Sequence, residues 1–126
     1  MKRNKLIHSA KKVISAEIAA LKKLSQSIDE SFIKTIDTLH KVKGRVICCG
    51  VGKSAKILEK ISSTLSSIGI SSFTLDPTDA GHGSLGAIKK NDVLMIASFS
   101  GNSSELGNII KYAKKLSVKI IGISSN

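Results

Sequence analysis

Apolar residues at the start of the chain recur at three- and four-residue steps: Leu6, Ile7, Ala10, Val13, Ile14, Ile18, Leu21 and Leu24. Lysines and small polar residues fill the gaps, so the period predicts an amphipathic helix. Ser27 followed by Glu30 has capping-box spacing and opens a second helix with Phe32, Ile33, Ile36 and Leu39 on one face. Gly44 is expected to end it. The pattern then changes to a short, β-prone apolar run at 45–49, as a buried parallel strand requires. Helical period returns over 54–68 and Gly69 supplies a stop. A second strand is expected at 71–75, ended with the help of Pro77, and a glycine-rich loop at 76–86. Val93–Ala97 reads as a third strand. Asn102 and Ser103 are placed to cap a helix carrying Leu106, Ile109, Ile110, Ala113 and Leu116, and 119–123 reads as a fourth strand.

Strands alternating with helices predict a three-layer α/β domain with a parallel sheet, preceded by two N-terminal helices. The division falls at a helical arm, 1–43, and a sheet-containing part, 44–126. Loops after the first and third strands then lie at the carboxyl ends of the sheet, where such folds place ligands. Only three residues follow the fourth strand, so a covering helix is missing, and the expectation is a domain incomplete at its C-terminus.

Composition narrows the classes. The chain has 126 residues, 41% hydrophobic and 3% aromatic, so its core must be aliphatic. No apolar run reaches the length of a bilayer span and no secretory leader is recognisable, which points to no membrane and a cytoplasmic setting. Twenty Lys plus Arg against nine Asp plus Glu give +11, a bias toward anionic partners. Nucleic acid is a poor fit: stacking aromatics are scarce, Arg3 and Arg45 are the two arginines, and the lysines do not converge on one segment. Cys48 and Cys49 are adjacent and suit neither a disulfide nor a metal motif. They read as core residues at a strand end, with a reactive thiol as the alternative.

Three loops carry the candidate chemistry. In Gly50-Val51-Gly52-Lys53-Ser54 the spacing is wrong for a Walker A loop, which would need glycine where Ile47 stands. It is also wrong for a dinucleotide fingerprint, which would need glycine at Ala55. What remains is a tight turn into a helix start, where amides, a hydroxyl and an ammonium could hold an anion; a plain turn with a surface lysine is the alternative. The segment 98–105 holds Ser98, Ser100, Ser103 and Ser104 around Gly101 at a predicted helix start. Such hydroxyls can surround a phosphate. The competing reading is a well-capped helix in which Glu105 bonds back to the Asn102 backbone. His82, between Gly81 and Gly83, is an acid, a base or a hydrogen-bond donor to substrate, or simply a loop residue. His8 and His40 read as surface residues. No His/Cys/Asp spacing suggests a metal site, and no cofactor motif is present.

Taken together, CGVGKSAKI at 49–57, DAGHGSLG at 79–86 and SFSGNSSELGNIIKYAKKL at 98–116 resemble the sugar isomerase (SIS) domain of arabinose-5-phosphate isomerases. The resemblance runs from about residue 4 to the end. It implies a flavodoxin-like three-layer α-β-α fold and interconversion of D-ribulose 5-phosphate and D-arabinose 5-phosphate through an enediol. It places the family's catalytic positions on Lys53, His82 and Glu105. Its phosphate pocket falls on Ser98, Ser100 and Ser103, with Gly52 and Ser54 from the lysine turn. Asn102 departs from the glutamate that many relatives carry. Relatives continue beyond a fourth strand, so the resemblance implies a shortened, impaired enzyme; a non-catalytic sugar-phosphate-binding module is the alternative. A homo-oligomer is implied as well, since family members are tetrameric.

Overall fold

The computed structural model describes residues 3–125, and the chain divides into two compact units, Met1–Lys34 and Thr35–Asn126. In the first, α1 (Arg3–Ser27) buries none of its residues. Helix α2 (Glu30–His40) follows, and its start differs from expectation. Ser27 donates its hydroxyl back to the Leu24 carbonyl at 2.8 Å, inside α1. The capping is done by Asp29, whose Oδ1 accepts from the Ser31 amide at 2.8 Å and the Ser31 hydroxyl at 2.6 Å. Those hydrogen bonds hold the Asp29 carboxyl below its usual range. With α1 persisting to Ser27, the capping role passes to the next short acceptor.

The second unit holds a four-stranded, all-parallel sheet in the order β2-β1-β3-β4. Its strands are β1 (Val46–Gly50), β2 (Ser72–Thr74), β3 (Val93–Ala97) and β4 (Lys119–Ile123). Strand β1 is buried throughout and its alternate residues serve two cores. Val46 and Cys48 face Leu58 and Leu65 of α3 (Lys53–Ser67), while Ile47 and Cys49 pack with Ile109 and Ala113 of α5 (Gly107–Lys115) and Ala80 of α4 (Pro77–Ala80). Helices therefore cover both faces, giving the expected three layers. Burying Ile47, Leu94 and Ile109 completely contributes about 1.5–3 kcal/mol each.

Helix ends follow chain chemistry. At α3, Gly69 takes a left-handed φ of 92°, and the Ile70 amide reaches the Leu65 carbonyl at 3.0 Å, closing a Schellman turn. The end of α5 has the same bonds, Val118 to Ala113 at 2.9 Å, but a serine, Ser117, sits in the left-handed position at φ 57°. Gly44 is not a helix stop: α2 ends at His40, and a Cβ at Gly44 would fall 2.5 Å from Asp92 Oδ1. Glycine is needed there for close approach of the segment that precedes β3.

Candidate functional site

Strands β1 and β3 are neighbours in register, Gly50 opposite Ala97. From β1 the chain runs outward to β2 on one side, and β3 and β4 build the other. The crevice between the carboxyl ends of β1 and β3 is thus a topological switch point. The two loops singled out in the sequence both issue there.

After β1, Gly50 is required because a Cβ would sit 3.0 Å from the Ala55 amide of α3. Gly52 is required for a different reason: its φ of 59° and ψ of −125° suit glycine alone. Gly52 caps α3 without any side-chain hydrogen bond, so the opening amides of a fifteen-residue helix face the loop. Lys53 is the first helical residue and is exposed; Ser54 is half-buried.

After β3, the Ser98 and Ser103 hydroxyls meet at 2.8 Å, and both residues are half-buried. The helix expected from Asn102 and Ser103 starts differently. Ser103 precedes a 3₁₀ turn, Ser104–Leu106, with no side-chain cap, because its hydroxyl is committed to Ser98. Glu105 does not bond back to the Asn102 amide, which takes Ser100 Oγ at 3.2 Å. The Glu105 carboxylate instead accepts from the Ser104 hydroxyl at 3.3 Å and is otherwise exposed. The capped-helix alternative for this loop therefore does not hold.

A groove of about 310 Å³ brings Ser54 and Ser98 together with Ile57, Phe99 and Ile123. A second hollow of about 200 Å³ is lined by Ser98, Gly101 and Ser103. Ser124, just after β4, lines both. It was missed in the sequence, although a hydroxyl at the carboxyl end of a strand beside β3 satisfies the same positional rule. Phe99 is a second omission, 83% exposed beside the serines. His82 follows α4 and is exposed; Gly83 beside it is left-handed at φ 117° and opens the 3₁₀ turn Ser84–Ala87. Helix α4 packs against the 104–106 turn, so His82 and Glu105 belong to adjacent segments. No hydrogen bond joins Lys53, His82 and Glu105 to one another among the described residues.

Cys48 and Cys49 are free and buried. Burial pushes the Cys49 thiol up to about 12, with Asp76 and Cys48 adding to the effect, and burial raises Cys48 too. Neither suits a nucleophile. Among the described residues no cluster of His, Cys, Asp or Glu could hold a metal ion, and no helix is long and apolar enough to cross a membrane.

The family model described as the SIS domain matches residues 38–126, the stretch that contains all three loops. The chain belongs to the SIS-domain family. An uncharacterised Rickettsia prowazekii protein is 45% identical over 117 residues, covering 93% of this chain and 37% of that protein. Arabinose 5-phosphate isomerase KdsD of Francisella tularensis is 42% identical over 123 residues, 95% of this chain and 38% of that enzyme. A solved Escherichia coli structure in complex with arabinose 5-phosphate superposes with a TM-score of 0.93 at 32% identity, covering 100% of this chain and 67% of that one. The SIS chain thus spans somewhat over a third of the length of these curated relatives. The resemblance drawn from the three loops is met by relatives that carry the arabinose 5-phosphate isomerase name.

Proposed function

We propose that the crevice holds a sugar phosphate and belongs to an aldose–ketose isomerase interconverting D-arabinose 5-phosphate and D-ribulose 5-phosphate. The observation that carries the reading is the meeting of Ser54 and Ser98 in one groove at the switch point. The names of the relatives and the arabinose 5-phosphate complex of the Escherichia coli neighbour support the substrate class. Ser98, Ser100 and Ser103 hold the phosphate from one side. Ser54, the Gly52 turn and the uncapped α3 amides hold it from the other, as a helix start favours an anion.

In the forward reaction a base removes the proton on C2 of the aldose. The C–H electron pair forms the C1–C2 double bond, and the carbonyl electrons move onto the C1 oxygen. The C1 oxygen then takes up a proton and the C2 hydroxyl gives one up, so that C2=O forms as the electrons of the C1–C2 double bond take the returning proton at C1, giving the ketose. We assign the proton transfer to Glu105, stabilisation of the enediolate oxygen to Lys53, and hydrogen bonding to the reacting oxygens to His82. Residues 1–43 act as a helical arm to the SIS part, 44–126. The exposed apolar positions of α1 are covered by a second copy, and the protein works in the cytoplasm.

Incubation with D-arabinose 5-phosphate in deuterated water tests this. Deuterium entering C2 in the native chain, and none with Glu105→Gln, is the expected NMR result. A second reading, a sugar-phosphate-binding module without turnover, is favoured by the exposure of Lys53, His82 and Glu105 and by the absence, among the described residues, of a hydrogen bond joining them. Calorimetric binding of the sugar phosphate with no exchange at C2 in the native chain would select it.

A further inference from the structure

The opposite end of the sheet holds a charge arrangement that the isomerase reading does not use. The segments leading into β1, β3 and β4 meet at the amino ends of the strands. They surround a depression of about 190 Å³ lined by Lys41, Lys43, Lys90 and Lys119, with Asn91 and Ser117 between them. These lysines come from three stretches far apart in sequence, so their convergence is a product of the fold.

The positive charge is not neutralised locally. Lys41 reaches Asp37 at 3.6 Å, an exposed pair. Among the described residues Lys43, Lys90 and Lys119 make no ion pair. Asp92 is the one carboxylate in the lining, and its side chain is 2% exposed with both oxygens engaged by Arg45 and the amides of Arg45 and Lys89. Helix-dipole compensation does not account for the cluster either. Lys114 and Lys115 already occupy the last turn of α5, whereas Lys43, Lys90 and Lys119 lie in loops or at a strand start. An anion in a depression lined by four lysines and with no free carboxylate meets attraction without local competition.

The lining also selects among anions. It contains no aromatic side chain, so there is no surface on which a base could stack. The lysines converge on one depression from three separate stretches of chain and do not come from one continuous segment. Asn91 and Ser117 add neutral polar groups suited to phosphate oxygens. We propose that this depression binds a chain of two or more linked phosphates, as carried by a nucleoside di- or triphosphate or by inorganic polyphosphate. The site is separate from the sugar-phosphate crevice, and the inference does not depend on the isomerase reading.

Calorimetry at low ionic strength tests it with tripolyphosphate, ATP, orthophosphate and a single-stranded oligonucleotide. Tripolyphosphate should bind at a single site, and orthophosphate at least about tenfold more weakly. ATP matching tripolyphosphate makes the phosphate chain the recognised element; ATP binding about tenfold more tightly would require a base contact that the lining does not supply and would overturn that assignment. Combined Lys43→Gln, Lys90→Gln and Lys119→Gln should weaken tripolyphosphate by about tenfold or more. Combined Lys11→Gln, Lys12→Gln and Lys22→Gln removes equal charge from α1 and should leave affinity unchanged. Ser100→Ala with Ser103→Ala should leave it unchanged too. Circular dichroism of each variant, and the three single variants should the triple one lose its fold, separate binding from folding. No tripolyphosphate binding, equal loss in both lysine sets, or tighter binding of the oligonucleotide through the same three lysines would each overturn the proposal.

Discussion

Replacing Asp92 by Asn should be among the most damaging single changes in the SIS part. The Asp92 side chain is 2% exposed and accepts four hydrogen bonds. Oδ1 takes the Arg45 amide at 2.8 Å and Arg45 Nε at 3.4 Å. Oδ2 takes Arg45 Nη2 and the Lys89 amide at 2.9 and 2.8 Å. Arg45 in turn donates to the Ala87 carbonyl at 2.7 Å and lies over the Phe73 ring at 4.9 Å. One carboxylate thus ties the starts of β1 and β3 together, with β2 and the 84–87 turn attached through arginine. An asparagine would turn an NH₂ group toward donors at one oxygen position and leave the guanidinium without its counter-charge. Breaking a buried pair costs about 3–5 kcal/mol. Because the Arg45 side chain is 37% exposed and can be rehydrated, the lower end, about 3 kcal/mol, is the better expectation. Against a typical domain stability of about 5–15 kcal/mol that is a large fraction. Urea unfolding followed by circular dichroism should show a lower midpoint with an unchanged slope. The effect also has a pH signature. Burial alone would raise the Asp92 pKa, but hydrogen bonds from the Arg45 side chain and amide and the Lys89 amide, with the Arg45 charge, hold it below the usual 3.8. A folded-state value depressed below the unfolded one stabilises the protein above the unfolded pKa and is lost as pH falls through the folded pKa. The gap between native chain and variant should therefore be constant above about pH 5 and close below about pH 4. A gap under about 0.5 kcal/mol at neutral pH, the size of an ordinary surface change, would refute the argument.

Three further outcomes follow from the same geometry. Ser100→Ala with Ser103→Ala should weaken sugar-phosphate binding by about 1–3 kcal/mol while hardly affecting the unphosphorylated pentose; equal calorimetric losses for both ligands would mean a damaged fold. Ser117→Gly should stabilise the chain by roughly 0.5–1 kcal/mol, since relief of a left-handed residue outweighs the added freedom of the unfolded chain; a lower urea midpoint would contradict this. Cys48 and Cys49 should resist a thiol-labelling reagent at pH 8 in native buffer and react promptly in urea; rapid native labelling would remove the assignment of both to the core.

What was legible in the sequence was the part decided locally. Strands β3 and β4 run over the residues expected, Val93–Ala97 and Lys119–Ile123: β3 is an unbroken apolar run, and β4 is a short isoleucine-rich one set between polar residues. Gly69 announces a left-handed helix end. Ser117 performs the same task for α5 unannounced, because the Val118 amide and the packing of β4 enforce a conformation that serine does not prefer. Two caps failed for a related reason. Ser27 and Ser103 have the right chemistry, but each hydroxyl has an alternative partner, the Leu24 carbonyl and the Ser98 hydroxyl. Side-chain spacing along the chain cannot show that competition.

The candidate site divides along the same line. The residue types and their loops were readable, because glycine before a helix start and hydroxyls after a strand are local signals. Ser124 and the Arg45–Asp92 tie were not, because both depend on which strands become neighbours. Placing β4 beside β3 brings Ser124 to the serine loop; placing β3 beside β1 brings Asp92 to Arg45, forty-seven positions away. The lysines make the point most sharply. Along the sequence they look dispersed, and that dispersion argued against a nucleic-acid contact. A parallel sheet adds a grouping that spacing does not show, since it delivers every strand start to one edge. Lys43, Lys90 and Lys119 each stand within three residues of a strand start, so the topology itself gathers them. In a chain of this class, charge is better counted by strand end than by distance along the sequence.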